Sequence, residues 1–160
     1  MAYSSTKKKS SGIVQISICI LTVILVVLII AMMMIVSSIQ GTARIVNYAG
    51  LVRGKTQRIV KLEISGKQED DMIQEIESFI DGLRNGNKEL NLVRLEDSDF
   101  QTKMEELNEY FLMLEQEIMQ VRAYGADKTQ ILSKSEHFFE ICDEATGLAE
   151  VYSQRKASLL

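Results

Sequence analysis

Between Ser10 and Ile39 the chain carries no charged residue, and from Asp97 onward its apolar residues recur in alternating steps of three and four. The first pattern predicts a membrane span and the second long amphipathic helices. The apolar run, from about Ile13 to Val36, covers the roughly 20 residues a helix needs to cross a ~30 Å hydrocarbon layer. A helix there satisfies its own backbone hydrogen bonds in lipid. Lys7, Lys8 and Lys9 precede the run, as basic residues also precede a signal peptide, but a signal core is only about 7–15 residues and ends at small residues. This run is longer and ends in Met32-Met33-Met34-Ile35-Val36, so an uncleaved anchor is expected. Cys19 inside it reads as a small apolar residue.

Four helices are predicted. The first contains the span and continues through Gln40 to about Ile64, where Ser65-Gly66 interrupts it. A second begins near Gln68-Glu69-Asp70-Asp71, where acids suit a helix N-terminus, and repeats Met72, Ile76, Phe79, Ile80 and Leu83 up to Asn85-Gly86-Asn87. Leu90 to Leu95 is a short apolar connection expected over one end of the core. A third opens at Asp97 or Ser98 and places Phe100, Met104, Leu107, Phe111, Leu114, Ile118 and Val121 on one stripe. After Tyr124-Gly125 a fourth repeats the pattern with Ile131, Ser135, Phe138, Cys142, Ala145, Ala149 and Tyr152. Facing stripes joined by short turns make an up-down bundle. The expected fold is therefore all-α: an N-terminal transmembrane helix continuing into an up-down four-helix bundle. Its parts are a tail over 1–12, a span over 13–38 and a bundle domain over 39–160. With helices one and four both ending near the membrane, a second span is expected after Leu160, with Ala157-Ser158-Leu159-Leu160 as its first residues.

Composition narrows the function classes. Proline is absent, which suits long uninterrupted helices. Beyond the three leading lysines, fifteen basic residues face twenty-two acidic ones, and no basic cluster follows Lys61. Such a surface is wrong for nucleic acid. The two cysteines, Cys19 and Cys142, form no disulfide framework in the bundle. No CxxC, HExxH or phosphate-cradling glycine loop occurs, so no metal site and no cofactor is expected. No nucleophile, base and orienting group assemble, and the chain is read as non-enzymatic. Lys7 to Lys9 favour a cytoplasmic N-terminus, partly offset by Arg44, Arg53 and Lys55. The bundle is thus expected outside the cell membrane, on a chain crossing it once.

Candidate chemistry concentrates after the span. Val46, Ala49, Arg53, Thr56 and Val60 fall in steps of three and four, which puts an arginine in an inward stripe. A buried guanidinium needs a partner, and Ala49, Gly50 and Gly54 let a ligand or another backbone come close. The plainer alternative is that Arg53 reaches solvent or pairs with a glutamate such as Glu106 or Glu140, the glycines being packing notches. His137, the one histidine, lacks neighbouring ligands, the acidic run Glu136, Glu140, Asp143 and Glu144 reads as a solvated face, and Met113 and Met119 as packing residues.

Asn47-x-Ala49-Gly50-x-x-Arg53-x-x-Thr56-Gln57-Arg58 resembles the helix-one motif of the N-terminal sensor domain shared by nitrate/nitrite sensor histidine kinases and type IV pili methyl-accepting chemotaxis transducers. With the span and the bundle, the resemblance covers nearly the whole chain. It implies a homodimeric helical bundle in which Arg53 of each protomer clamps one small anion at the interface, with Asn47, Gly50, Gln57 and Arg58 around it. It also implies a role as the sensing module of a membrane receptor, of two-component, chemotaxis or diguanylate cyclase type. Gly54 and Lys55 depart from the family, which commonly has a methionine and an apolar residue or glutamine there, so nitrate itself does not follow. The rival expectation is a single-pass adaptor whose bundle holds a partner protein's helices.

Overall fold

The computed structural model describes residues 4–125 and 128–158, with side chains described from Gly12 onward, apart from those of Ser38 and Ala157. Four helices account for almost all of it: α1 (Ser4–Ile64), α2 (Asp70–Asn85), α3 (Ser98–Tyr124) and α4 (Lys128–Ser158). No strand forms among the described residues, and an isolated bridge joins Asn87 to Leu92. The all-α expectation is met, with helix boundaries close to those read from the sequence. Helix α1 begins at Ser4, not at Ile13. Residues 1–3 of the expected tail and Leu159-Leu160 of the expected second span lie outside the described residues.

The chain divides into two units between Ser38 and Ile39. In the first, the apolar side chains are exposed, Met32 at 70% and Ile24 at 50%, and the segment is long and apolar enough to cross a membrane. Leaving that much apolar surface in water is unfavourable.

The second unit is the helical bundle. Every member of the α3 stripe from Phe100 to Val121 is buried, as is the α4 stripe from Ile131 to Ala149, with Tyr152 half-buried at its end. Helix α2 contributes Ile73, Ile76, Phe79, Ile80 and Leu83; Ile73 takes the inward position expected of Met72, which packs at the edge. Of the expected α1 stripe, Ala49, Thr56 and Val60 are buried, but its centre is shifted from Val46 and Arg53. The buried stripe runs Thr42, Ile45, Ala49, Val52, Thr56, Ile59 and Glu63. Ile45, Val52 and Ile59 take the seam because each buried aliphatic side chain contributes about 1.5–3 kcal/mol, whereas an arginine would have to shed its hydration. Val46 is therefore only half-buried, and Arg53 sits one position off the seam.

The connections stop each helix where they must turn. Gly66, at φ +80°, closes α1 with the paired bonds Lys67 N–H to Leu62 O (2.9 Å) and Gly66 N–H to Glu63 O (3.0 Å). The Asp97 carboxylate caps α3 by accepting from Phe100 N–H at 3.0 Å. Helix α2 is half the length of its neighbours, and the connection after it buries Leu92 and Leu95 in the space it leaves. Gly82 permits this: a Cβ there would meet the Leu92 and Leu90 methyls at 3.1 and 3.3 Å.

Thr56, 1% exposed on the seam, has a hydroxyl with no hydrogen-bond partner among the described residues. Thr56→Val keeps the shape and removes that orphan, so it should stabilise the bundle by about 1 kcal/mol. Leu114→Ala, which empties a fully buried position, should cost about 2–5 kcal/mol. Thermal unfolding of the chain in detergent micelles, followed by circular dichroism, checks both signs.

Candidate functional site

Helix α1 lies between α2 and α4, and its flanking positions point opposite ways. Lys55 reaches α2, where it meets Glu75 at 2.6 Å and lies 5.9 Å over the Phe79 ring, against which Tyr48 packs edge-on at 4.9 Å. Arg53 reaches α4. Its Nη1 donates to the Asp143 carboxylate, and its guanidinium carbon lies 4.9 Å from the centre of the Phe139 ring. Phe139 and Asp143 are one turn apart on α4, so a single helix supplies both a face and an acid to the guanidinium. Glu106 and Glu140, the partners expected of Arg53, are taken by Lys103 and His137.

Arg53 keeps 36% of its side chain exposed, at the edge of the α1 face that turns away from the core. On that face Asn47, Gly50, Gly54 and Gln57 follow one another at helical spacing, with the exposed Arg58 further round. A Cβ built at Gly50 or Gly54 would meet no atom within 4 Å, so these glycines are not packing notches within the bundle. They leave a smooth patch of backbone open beside Arg53. The expected site residues thus share one open surface, with Arg53 at its rim and not in the core.

Burial pushes the Cys142 thiol up to about 12, with the Arg53 charge pulling the other way and Asp143 adding to the rise. Along the α3–α4 seam, Lys103 is raised by hydrogen bonds to Glu106 and Glu144, and the same contact holds the Glu144 carboxyl below its usual value. Burial and the nearby Glu77 raise the carboxyl of Glu115 on α3. His137 is exposed, edge-on to Tyr110 at 4.9 Å. No group of three metal-ligating side chains occurs among the described residues. Met113 and Met119, expected to pack, are each 44% exposed; Met119 shares a flank of α3 with the equally exposed Leu112, and Met113 lies on another.

At the end of the bundle where α1 closes, the ionic contacts are more deeply set. Arg122 of α3 bonds Glu63 of α1 through Nε at 3.0 Å and again through Nη2, and reaches Asp70 of α2 at 2.6 Å. Glu63 is 3% and Arg122 12% exposed. The Glu63 hydrogen bonds raise the Arg122 pKa above its ordinary value against the cost of burial. A cavity of about 300 Å³ opens beside this knot, between Gln68, Gly125 and Lys128, but Lys128 is already bonded to the Ile64 carbonyl at 2.6 Å. A second, of about 320 Å³, lies between α1 and α4 at Thr42, Val46, Glu150 and Ser153. Neither includes Arg53.

No protein-family model matches the chain, and no curated protein matches it. Its fold is similar to that of the ligand-binding domain of the nitrate receptor McpN from P. aeruginosa, with a TM-score of 0.62. The match spans 69% of this chain and 96% of that domain at 18% identity, a likeness of fold.

The sequence singles out Arg53, but it gives no sign that Phe139 or the exposed Asp143, part of the acidic run read as a solvated face, would meet it. Their i,i+4 spacing on α4 was the available pattern, which only the seam registers could have aligned with Arg53.

Two outcomes follow from these environments. Arg122→Ala strands the buried Glu63 charge and should cost about 3–5 kcal/mol, whereas Arg53→Ala, breaking an exposed pair, should change stability by about 1 kcal/mol or less. Urea unfolding in micelles distinguishes the two. Because the folded state keeps Cys142 protonated up to about 12, its contribution to stability is intact below the ordinary thiol range and falls as pH rises above 9. In a Cys19→Ser chain, a polar maleimide at pH 8 should leave Cys142 unmodified until denaturant is added.

Proposed function

We propose that the chain is the sensing module of a membrane receptor: a cytoplasmic tail over 1–12, an anchor over 13–38, and an extracytoplasmic bundle over 39–160 that binds a small anion through Arg53. The observation that carries this reading is the half-exposed guanidinium at the rim of an open glycine face. The similarity in fold to the ligand-binding domain of a nitrate receptor supports it. Gly50 and Gly54 let a second copy of α1 approach, so two Arg53 side chains would face one anion across a two-fold axis. Charge-assisted hydrogen bonds to that anion would replace their mutual repulsion. Asn47, Gln57 and Arg58 would complete the surroundings. The ligand acts by favouring one packing of the pair, and a shift of α1 against α4 carries the signal towards an output outside this chain. No catalytic step is assigned to it.

Leu112 and Met119, exposed together on one flank of α3, favour a second reading, an adaptor that holds a partner's helix there. Ligand-induced stabilisation separates the two. With nitrate, nitrite or acetate at 100 times its dissociation constant, the full chain in lipid nanodiscs should gain about 2.7 kcal/mol of stability. Arg53→Ala should abolish that gain with helicity unchanged. A gain that survives in Arg53→Ala, or none with any of the three anions, would remove the anion-sensor reading and leave the adaptor.

A further inference from the structure

We infer that Asp143 is a built-in competitor of the ligand, its carboxylate occupying the guanidinium that a small planar oxyanion would use, so that binding releases the ionic tie between α1 and α4 beside Arg53. This rests on the anion-sensing reading above and extends it to the ligand class and to how the site is coupled to movement.

The geometry supplies the first reason. Arg53 Nη1 donates to Asp143 while Phe139 supports the face of the same guanidinium at 4.9 Å. Phe139 contributes no oxygen and need not move when a ligand arrives. Asp143 contributes one oxygen to Nη1, and the N–H it takes can be satisfied in the same way by another planar monoanion. Carboxylate, nitrate and nitrite share that chemistry, an sp² oxygen carrying part of a single negative charge.

Exposure supplies the second. Arg53 is 36% and Asp143 59% exposed, so water already competes for both ends of the pair. An ion pair in this setting shifts an equilibrium by no more than about five-fold, which a ligand can overcome. The Arg122–Glu63 pair, 12% and 3% exposed, has no such access and does not exchange partners. Asp143 also repels an approaching anion, as do its neighbours Glu140 and Glu144 on the same exposed face of α4. The site is therefore kept weak by its own acid.

Displacement has a mechanical result. The Arg53–Asp143 bond ties α1 to α4 at a position off the packed seam, and its loss leaves Phe139 as the remaining contact of Arg53 with α4. Linkage requires that whatever separates the two helices also raises anion affinity by the same factor.

The test is calorimetric titration of the full chain in nanodiscs with sodium nitrate and sodium acetate at one ionic strength, helicity being checked for each variant. Asp143→Asn should bind about five-fold more tightly, the value of the exposed pair it removes. Asp143→Glu, which retains the acid, should stay within about two-fold of the native affinity, and Asp143→Asn combined with Arg53→Ala should not bind. Binding by Asp143→Asn but not by the native chain, dependent on Arg53, would also support the inference. Equal or weaker binding by Asp143→Asn, with binding still dependent on Arg53, would overturn it and leave the anion sensor standing. Binding that ignores Arg53, or no binding by any variant, would remove both.

Discussion

The placement of the α1 side chains around Arg53 depends on the seam that Ile45, Val52 and Ile59 of α1 share with the stripes of the other three helices. Apolar burial is insensitive to direction but sensitive to position: moving the seam by one residue would bring Arg53 inward and turn Val52 out. The cost of a buried guanidinium decides between the two arrangements. Arg53 is consequently held beside the core, near enough to α4 to be gripped and open enough to be reached.

The bundle is unequally tied. Where α1 closes, Arg122 joins three helices through Glu63 and Asp70, and Lys128 adds a bond from α4 to the last carbonyl of α1. The Arg122 and Glu63 charges are shielded from water, so removing one partner strands the other. Around Arg53 the tie between α1 and α4 is a solvent-washed pair above an aromatic face. This contact is weaker than the one at the closed end. Proposed signalling by relative movement of α1 and α4 thus has a fixed end and a yielding one.

Periodicity made the bundle legible because α3 and α4 keep a strict three-four alternation without proline, and because α1, α2 and α3 are followed by glycines whose backbone angles stop a helix. Helix α1 was harder. Small and β-branched residues occur all round it, and positions Val46 and Arg53 matched helical spacing as well as the buried Ile45 and Val52. The exposure of Met113 and Met119 was hidden for a similar reason: residue type says what is apolar, whereas the neighbouring helices decide which apolar positions are covered.

The sequence by itself determined the charge-free run that suits a membrane, the four helices, their turns and the two long stripes, all of which follow from local spacing and backbone preference. The tertiary structure decided which face of α1 is inside, that Arg53 meets Phe139 and Asp143 and not Glu106 or Glu140, and that Gly50 and Gly54 face open space. Those outcomes depend on the relative rotation and register of separate helices. They are set when the seams interlock, and no single segment contains them.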